Sequence, residues 1–262
     1  MVYPFMIFTA TTGRSGTGYL ANLFGRAKNC RASHEETFPV QGEPMRSLFL
    51  RNDIRPVHDV FNQGLAFLKS LPNKPTFFLD SSHLFIRSYC ESAHAAFGEN
   101  MLVLDLRRPF LDVARSLLNR GTLIGTRDGD AYLYRPEHRG NCLKLPEQVL
   151  GHLSDLQRLH LYCLECHART ELYLDMNAIA AEQVIRVPFS AIGNADRMRA
   201  LAEKIGIEPD DDFDARAERT VNANQAATVT EPGDTEQFLE LVRLLKQHGN
   251  RVDHLFDWEG EI

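Results

Sequence analysis

Residues 5–24 read FMIFTATTGRSGTGYLANLF, and this stretch predicts the fold of the chain. Residues 5–10 form a short apolar run rich in strand-favouring side chains, which is typical of a buried strand. Residues 11–18 are rich in glycine and hydroxyl side chains, and from Gly18 on the apolar residues recur at helical spacing. Such a strand, turn and helix N-terminus can bind phosphate, because the free N–H groups of the first helical turn and the helix dipole both attract an anion.

The loop carries one cationic residue, Arg14, whose guanidinium can donate two parallel hydrogen bonds to an oxyanion. The corresponding ATPase loop reads G-x-x-x-x-G-K-[ST]. Gly13 and Gly18 have the glycine spacing of that loop, but Tyr19 and Leu20 stand where it has the lysine and the magnesium-binding hydroxyl. The loop therefore predicts an anion site of a different kind, and an ordinary glycine-rich turn is the alternative.

Length and composition are those of a globular domain. A chain of 262 residues, with 44% hydrophobic and 24% charged residues, fits a single domain over residues 1–262, because we find no repeat, low-complexity tract or linker. The net charge of −6 argues against nucleic acid as a partner. Without an apolar run of membrane-spanning length or a signal peptide, we expect no stable membrane insertion and a cytoplasmic location. The five cysteines lack a disulfide pattern, so we expect free thiols.

Strands and helices alternate along the chain. The predicted strands are residues 5–10, 30–33, 76–79, 101–106 and 183–187. The predicted helices start at residue 18 and then cover 45–50, 57–71, 83–97, 110–120, 147–174, 195–205 and 234–248, the last capped by Asp234. This alternation predicts an α/β fold with a central parallel sheet flanked by helices. The segments 39–57 and 121–145 are predicted to be largely irregular.

A second informative stretch is LDLRRPFLDVARSLLNR, residues 104–120. Arg108 closes a predicted central strand, and Ser116 lies two turns into the helix that follows. Because the carboxyl ends of parallel strands share one crevice, Arg108 and Ser116 can hold a phosphate group beside the first loop. The alternative is a strand end with solvated arginines.

Together, Arg14-Ser15-Gly16-Thr17 and the later Arg108 and Ser116 resemble the paired cofactor motifs of sulfotransferases that use 3′-phosphoadenosine-5′-phosphosulfate (PAPS). The resemblance implies a fold related to P-loop kinases and sulfuryl transfer from PAPS to a hydroxyl or amine, with no metal. It implies that the first loop holds the 5′-phosphosulfate, with Arg14 stabilising the leaving oxygen, and that Arg108 and Ser116 hold the 3′-phosphate. The cofactor-binding residues it implies are Gly13, Arg14, Ser15, Gly16, Thr17, Gly18, Tyr19, Arg108 and Ser116.

The resemblance weakens towards the C-terminus. Where many members have Tyr-Glu-Asp-Leu after the last strand, this chain has Val187-Pro188-Phe189-Ser190. We therefore carry over no role for these four residues.

Sulfuryl transfer needs a base that takes the proton of the acceptor. His34-Glu35-Glu36 is predicted at the end of the second strand, beside the first loop, and is similar to segments in which relatives carry a catalytic glutamate. The two patterns that match leave Glu35 and Glu36 both open as the base, and we prefer Glu35. A surface acidic turn is the alternative.

The end of the third predicted strand carries a further group of polar residues. Asp80, Ser82 and His83 are predicted either to bind the acceptor or to cap the next helix. His83 is also a candidate to share the proton transfer. The acceptor itself, a small molecule, lipid or saccharide, stays open.

The segments 39–57 and 121–145 are expected to shape the acceptor site. The second of them is basic, which suits an acidic acceptor or a solvated loop; its basic residues are Arg127, Arg135, His138, Arg139 and Lys144.

Other functions are less well supported. Cys163-Leu164-Glu165-Cys166-His167 matches the C-x-x-C-H string for covalent haem, but it lies within a long amphipathic helix, so we reject haem there. No cysteine or histidine spacing predicts a zinc site. Two rival functions remain: a nucleotide kinase or NTPase with an unusual loop, and a module that binds 3′,5′-bisphosphoadenosine without catalysis.

Overall fold

The computed structural model describes residues 3–176, 180–219 and 231–256. A five-stranded sheet lies at its centre, with strand order β2-β3-β1-β4-β5 and every neighbouring pair parallel. The strands are β1 Phe5–Ala10, β2 Cys30–Ser33, β3 Phe77–Asp80, β4 Met101–Arg107 and β5 Val184–Pro188. The predicted parallel sheet flanked by helices is confirmed. The prediction of one domain reaches into residues outside the described ranges and stays a prediction.

Ten α-helices surround the sheet in the described part of the chain. They are α1 Thr17–Phe24, α2 Glu43–Arg51, α3 Arg55–Ser70, α4 Cys90–Phe97, α5 Phe110–Asn119, α6 Glu147–His152, α7 Asp155–Met176, α8 Ala195–Ile205, α9 Phe213–Ala217 and α10 Pro232–Gln247. A π-helical turn spans Phe85–Tyr89, and short 3₁₀ turns span Gly98–Asn100, Gly129–Ala131, Ala181–Gln183, Phe189–Ala191 and Asp253–Leu255. No described helix is both long enough and apolar enough to span a membrane.

The strand register brings the functional loops to one edge of the sheet. Asp80, the last residue of β3, pairs with Phe8 of β1 and with Ser33, the last residue of β2. On the other side of β1, Ala10 pairs with Asp105 of β4. Because all strands run the same way, the loops after β1, β2, β3 and β4 leave the sheet at the same edge.

Each face of the sheet has its own apolar core. On one face, Phe8 of β1 packs with Phe85 and Tyr89 and with apolar side chains of α3, α5 and α7. On the other face, Ile7 packs with side chains of α1, α8 and α9. A third cluster joins α7 and α10 through Leu164 and Leu241. The two-sided burial of β1 explains why its sequence is apolar on both faces, except for Thr9.

The predicted helix 147–174 is wrong in one respect, because the structure divides it into α6 and α7. The Ser154 hydroxyl accepts a hydrogen bond from the Gln157 N–H at 3.1 Å, and the Gln157 side chain accepts one from the Ser154 N–H at 3.0 Å. This reciprocal pair starts a new helix at Asp155. The sequence Ser-x-x-Gln is a pattern that predicts such a helix start.

Two further helix starts differ from the prediction. The segment predicted as one helix over 83–97 begins with the π-helical turn Phe85–Tyr89 before α4. Helix α10 is capped by Glu231, not by Asp234, because Glu231 and Asp234 each accept a hydrogen bond from the backbone of the other. Asp234 therefore stands at the third helical position, where it completes the capping pair.

Candidate active site

The loop between β1 and α1 has two residues in the left-handed backbone conformation. Arg14 and Gly16 both have positive φ, 66° and 92°. A Cβ on Gly16 would lie 3.3 Å from the Ile192 side chain, so both conformation and space favour glycine. Gly16 precedes the first residue of α1 and has no side chain to cap the helix. The first N–H groups of α1 are therefore left for an external acceptor.

Hydrogen bonds from beneath hold this loop in place. The Thr12 and Ser15 hydroxyl oxygens lie 2.7 Å apart, and the Thr11 hydroxyl donates to the Leu106 carbonyl of β4 at 2.5 Å. The Gly13 N–H donates to the Tyr162 hydroxyl of α7 at 3.1 Å. The loop is thus fixed to both the sheet and a helix.

Three predicted loop residues belong to helix α1. Thr17 is its buried first residue, and Gly18 faces His34, since a Cβ on Gly18 would lie 3.8 Å from His34 Nε2. Tyr19 is buried, and its hydroxyl donates to the Ala217 carbonyl at 2.6 Å. The Tyr19 side chain therefore packs towards α9, away from the loop.

The structure brings the two predicted cofactor motifs into contact. Arg14 Nε donates to Ser116 Oγ of α5 at 3.2 Å, and Arg108 Nη1 donates to the Arg14 carbonyl at 2.8 Å. The Arg108 guanidinium also lies 4.6 Å from the centre of the Phe189 ring. Arg14, Arg108 and Ser116 therefore form one polar cluster at the edge of the sheet.

A third arginine, Arg120, adds its charge to this cluster. The pKa of Arg14 is lowered by burial and then by the positive charges of Arg120 and Arg108. Arg120 is not among the residues predicted for the site, although its position one helical turn after Ser116 places both on one face of a helix. The positive charges of Arg120 and Arg108 act together on Arg14, and such a concentration of like charge favours binding of a multivalent anion.

A carboxylate and an imidazole form a pair beside the loop. His83 Nδ1, after β3, lies 2.5 Å from Glu35 Oε1, after β2. His34 Nε2 lies 4.0 Å from the same oxygen. A Cβ on Gly13 would lie 3.6 Å from His83 Nε2. The second ring nitrogen of His83 therefore faces the loop between β1 and α1, residues 11–16, which we call the anion loop.

Protonation of this pair follows from its surroundings. Burial raises the pKa of Glu35, but the hydrogen bond and charge of His83 outweigh burial and lower it to about 2. Burial and then the charge of Arg87 lower the pKa of His83 to about 4, against the opposing effect of Glu35. At neutral pH the pair is therefore a Glu35 carboxylate and a neutral His83. The Nδ1–H donates to Glu35, and Nε2 is free to accept a proton.

The other predicted acid-base candidates lie elsewhere. Glu36 is exposed, and its N–H donates to Ser33 Oγ at 3.3 Å. Asp80 is fully buried, where it accepts a hydrogen bond from the Tyr89 hydroxyl and burial raises its pKa to about 7. Ser82 is also fully buried, and its hydroxyl accepts from the Leu84 N–H at 3.1 Å. This bond lies in the turn before the π-helical segment, whose N-cap residue is Leu84 and has no side-chain cap, so both functions predicted for Ser82 stay predictions.

Of the two segments predicted to shape the acceptor site, 121–145 reaches His83, and 39–57 contacts 121–145. The Tyr132 ring stacks on the His83 imidazole, with centroids 6.0 Å apart and an interplanar angle of 23°. The Gly42 N–H donates to the Ala131 carbonyl at 3.1 Å and so joins the segment after β2 to the segment after α5. Arg135, one of the basic residues of the second segment, is paired with Asp130 at 2.6 Å.

The C-x-x-C-H string has a packing function in α7. Cys163 and Cys166 are buried free thiols, and the His167 ring lies 4.5 Å from that of Phe110. Across residues 3–176, 180–219 and 231–256, no group of three or more His, Cys, Asp or Glu side chains is arranged to hold a metal ion.

The fold is that of solved sulfotransferases. The sulfotransferase domain from the curacin biosynthetic pathway superimposes with a TM-score of 0.53 and 9% identity, over 95% of this chain and 99% of that chain. A sulfotransferase from Alicyclobacillus acidocaldarius superimposes with a TM-score of 0.50 and 15% identity, over 94% of this chain and 95% of that chain. No family model and no curated protein matches the sequence. The predicted sulfotransferase architecture is confirmed, and at these identities the likeness concerns the fold alone.

Proposed function

We propose that the protein is a sulfotransferase that transfers the sulfuryl group of PAPS to a hydroxyl or amine of an acceptor. The observation that carries this proposal is the contact between Arg14 and Ser116 at 3.2 Å, which joins the anion loop to the Arg108 region. PAPS carries anionic groups at both its 5′ and 3′ positions. Two adjacent anion sites with shared arginines match that charge distribution.

The residues present fit the binding of PAPS, which supplies an activated sulfuryl group. The N–H groups at the start of α1 and the Arg14 guanidinium would hold the 5′-phosphosulfate. Arg108 and Ser116 would hold the 3′-phosphate. Burial and then the charges of Arg120 and Arg108 lower the pKa of Arg14, and an anion bound here would offset these charges, although the whole chain carries a net charge of −6.

In this proposal His83 accepts the proton of the acceptor at Nε2. Glu35 accepts the Nδ1–H, orients the ring and stabilises the imidazolium that forms. Glu35 is occupied by the Nδ1–H of His83, whereas His83 Nε2 faces the loop, so Glu35 acts through His83. Arg14 and the loop N–H groups stabilise the negative charge that develops on the leaving oxygen.

The acceptor would enter between the segments 39–57 and 121–145, beside the stacked rings of His83 and Tyr132. The aromatic face favours an acceptor that presents an apolar or ring surface next to its reacting group. Arg135 is paired with Asp130, so this residue gives little support for an acidic acceptor.

A kinase function is disfavoured by the position of Tyr19. Its side chain occupies the place of the ATPase lysine in sequence, and its hydroxyl is bonded to the Ala217 carbonyl. A module without catalysis would not need the Glu35–His83 pair.

A transfer assay with sulfur-labelled PAPS tests the proposal. The acceptor panel contains phenols, aliphatic alcohols, amines, saccharides and lipids. We expect labelled product with wild-type protein, and a loss of roughly a hundredfold or more in His83→Gln, which removes the base. A panel that is labelled equally well by both proteins would contradict the assignment of His83.

A further inference from the structure

Arg87 is a buried cation next to the proposed base. It lies in the π-helical turn four residues after His83, and 2% of it is exposed. The guanidinium donates to the Tyr162 hydroxyl and to the Tyr132 carbonyl, and it lies 4.7 Å from the centre of the Tyr162 ring. Within the described ranges, no carboxylate forms an ion pair with it. A buried charge without an ionic partner destabilises a fold, so its presence calls for a function.

Tyr162 links Arg87 to the Gly13 peptide of the anion loop. The Tyr162 hydroxyl accepts one hydrogen bond from the Gly13 N–H at 3.1 Å and a second from Arg87. A Cβ on Gly13 would lie 3.9 Å from Arg87 Nη2 and 3.6 Å from His83 Nε2. The Arg87 guanidinium and the His83 imidazole therefore both lie next to the Gly13 backbone.

Arg87 also opposes protonation of His83, and after burial its charge has the largest effect on the pKa of the imidazole. Besides burial, the groups acting on the imidazole are Arg87, Glu35 and His34. Arg87 and His34 disfavour the imidazolium, and Glu35 favours it. Tyr132 stacks on the ring from the segment after α5.

We infer that Arg87 and Tyr162 are positioning residues for sulfuryl transfer. Arg87 keeps His83 in its proton-accepting form, and Tyr162 fixes the Gly13 peptide at the head of the anion loop. This inference rests on the proposed function. It separates two effects: loss of the Arg87 charge changes the pH dependence, whereas loss of the Tyr162 hydroxyl changes the affinity for the nucleotide.

The first test measures the titration of His83 by NMR in protein labelled at histidine, with the His83 signal assigned by its absence in His83→Gln. In Arg87→Met we expect the midpoint to rise by about one pH unit or more, because a nearby like charge is removed. The apparent pKa of the acid limb in the pH profile of kcat/KM should rise by the same amount. Arg87→Lys, which keeps a charge, should retain most of the low midpoint.

Arg169→Met is the matched control for Arg87. Arg169 is another partly buried arginine that stacks over a tyrosine, Tyr134, at 5.0 Å, but it has no contact with His83. We expect its replacement to leave the His83 midpoint unchanged. A general effect of removing buried cations would instead appear in both variants.

The second test measures binding of 3′,5′-bisphosphoadenosine by calorimetry. In Tyr162→Phe we expect affinity to fall about five- to tenfold, because the Gly13 N–H loses its acceptor, while the His83 midpoint moves little. Tyr134→Phe is the control. The Tyr134 hydroxyl donates to the Ile86 carbonyl at 3.2 Å, close to Tyr162 but with no link to the loop.

The inference is overturned if Arg87→Met folds and His83 titrates as in wild type. Arg87→Gln is a second charge-free variant should Arg87→Met fail to fold. Should neither fold, Tyr162→Phe decides, and unchanged nucleotide affinity there overturns the inference. Wild-type protein that binds no bisphosphoadenosine contradicts the proposed function separately, because the His83 titration needs no ligand.

Discussion

Arg14 Nε lies 3.2 Å from Ser116 Oγ, although the two residues are 102 positions apart in the chain. One comes from the loop after β1 and the other from the second turn of α5. This contact turns two local motifs into one site. The separate functions of Arg14 and Arg108 in this site can be tested by experiment.

The first prediction concerns Arg14. It faces the reacting group in our proposal, so its charge acts mainly in the transition state. We expect Arg14→Ala to lower kcat strongly, and Arg14→Lys to retain part of the rate because it keeps the charge. Steady-state kinetics with PAPS measures both. A fall in affinity at unchanged kcat would assign Arg14 to ground-state binding only.

The second prediction concerns Arg108. It should bind the 3′-phosphate equally in the ground and transition states, so Arg108→Ala should raise the KM for PAPS with little change in kcat. It should also abolish the preference for 3′,5′-bisphosphoadenosine over the plain 5′-phosphate, measured by competition. A variant that keeps the original preference would locate the 3′-phosphate elsewhere.

The third prediction uses the neighbouring glutamates as a matched pair. Glu35 contacts His83 at 2.5 Å, whereas Glu36 is exposed. Glu35→Gln should lower kcat by roughly 10²-fold or more, because the imidazolium loses its orienting charge. Glu36→Gln should change it less than about threefold. Nucleotide affinity, measured by calorimetry, should stay near wild type in both, and the reverse pattern of rates would make Glu36, and not Glu35, the catalytic carboxylate.

The fourth prediction concerns stability at acid pH. His160 is fully buried, and burial lowers its pKa to about 4, with Asp234 opposing and Arg115 assisting. The unfolded chain takes up this proton near pH 6.5, but the folded chain does so only near pH 4. The contribution of His160 is therefore complete above about pH 6.5 and is lost as the pH falls to about 4, on the order of 3 kcal/mol in all.

Urea unfolding from pH 7 to pH 4 measures this effect. His160→Leu should lose less of its free energy of unfolding over that range than wild type. His58→Gln is the control, since His58 is exposed and its replacement should leave the slope unchanged. Equal slopes in all three proteins would mean that His160 accepts a proton while folded.

Most of the sheet could be predicted because its signals are local. β1 is apolar except for Thr9, and the switch to helical spacing at Gly18 marks the start of α1 within one residue. The Arg14 loop was equally readable, since glycine at φ 92° is a requirement of the backbone itself. The break between α6 and α7 was also predictable, because Ser154 and Gln157 form a capping pair that the sequence shows as Ser-x-x-Gln.

The site was predictable only in part. That Glu35 and His83 share one edge followed from the parallel sheet, but their hydrogen bond depends on the positive φ of Glu35 and on the register of β2 and β3. Asp80 faces the core because it lies two residues after Phe78 and so on the same face of β3, which strand alternation could have shown. The contact of Arg87 with Tyr162 spans 75 positions and two elements with no shared motif.

The central claim is that the site accepts a 3′,5′-bisphosphorylated adenosine without magnesium. Calorimetric titration with 3′,5′-bisphosphoadenosine and with ATP, each in the presence of magnesium and of chelator, tests this claim most directly. The account predicts that bisphosphoadenosine binds equally well in both conditions and at least about tenfold tighter than ATP, because Arg108 and Ser116 add charge-assisted bonds to the 3′-phosphate. ATP binding that needs magnesium and equals or exceeds that of bisphosphoadenosine would contradict it.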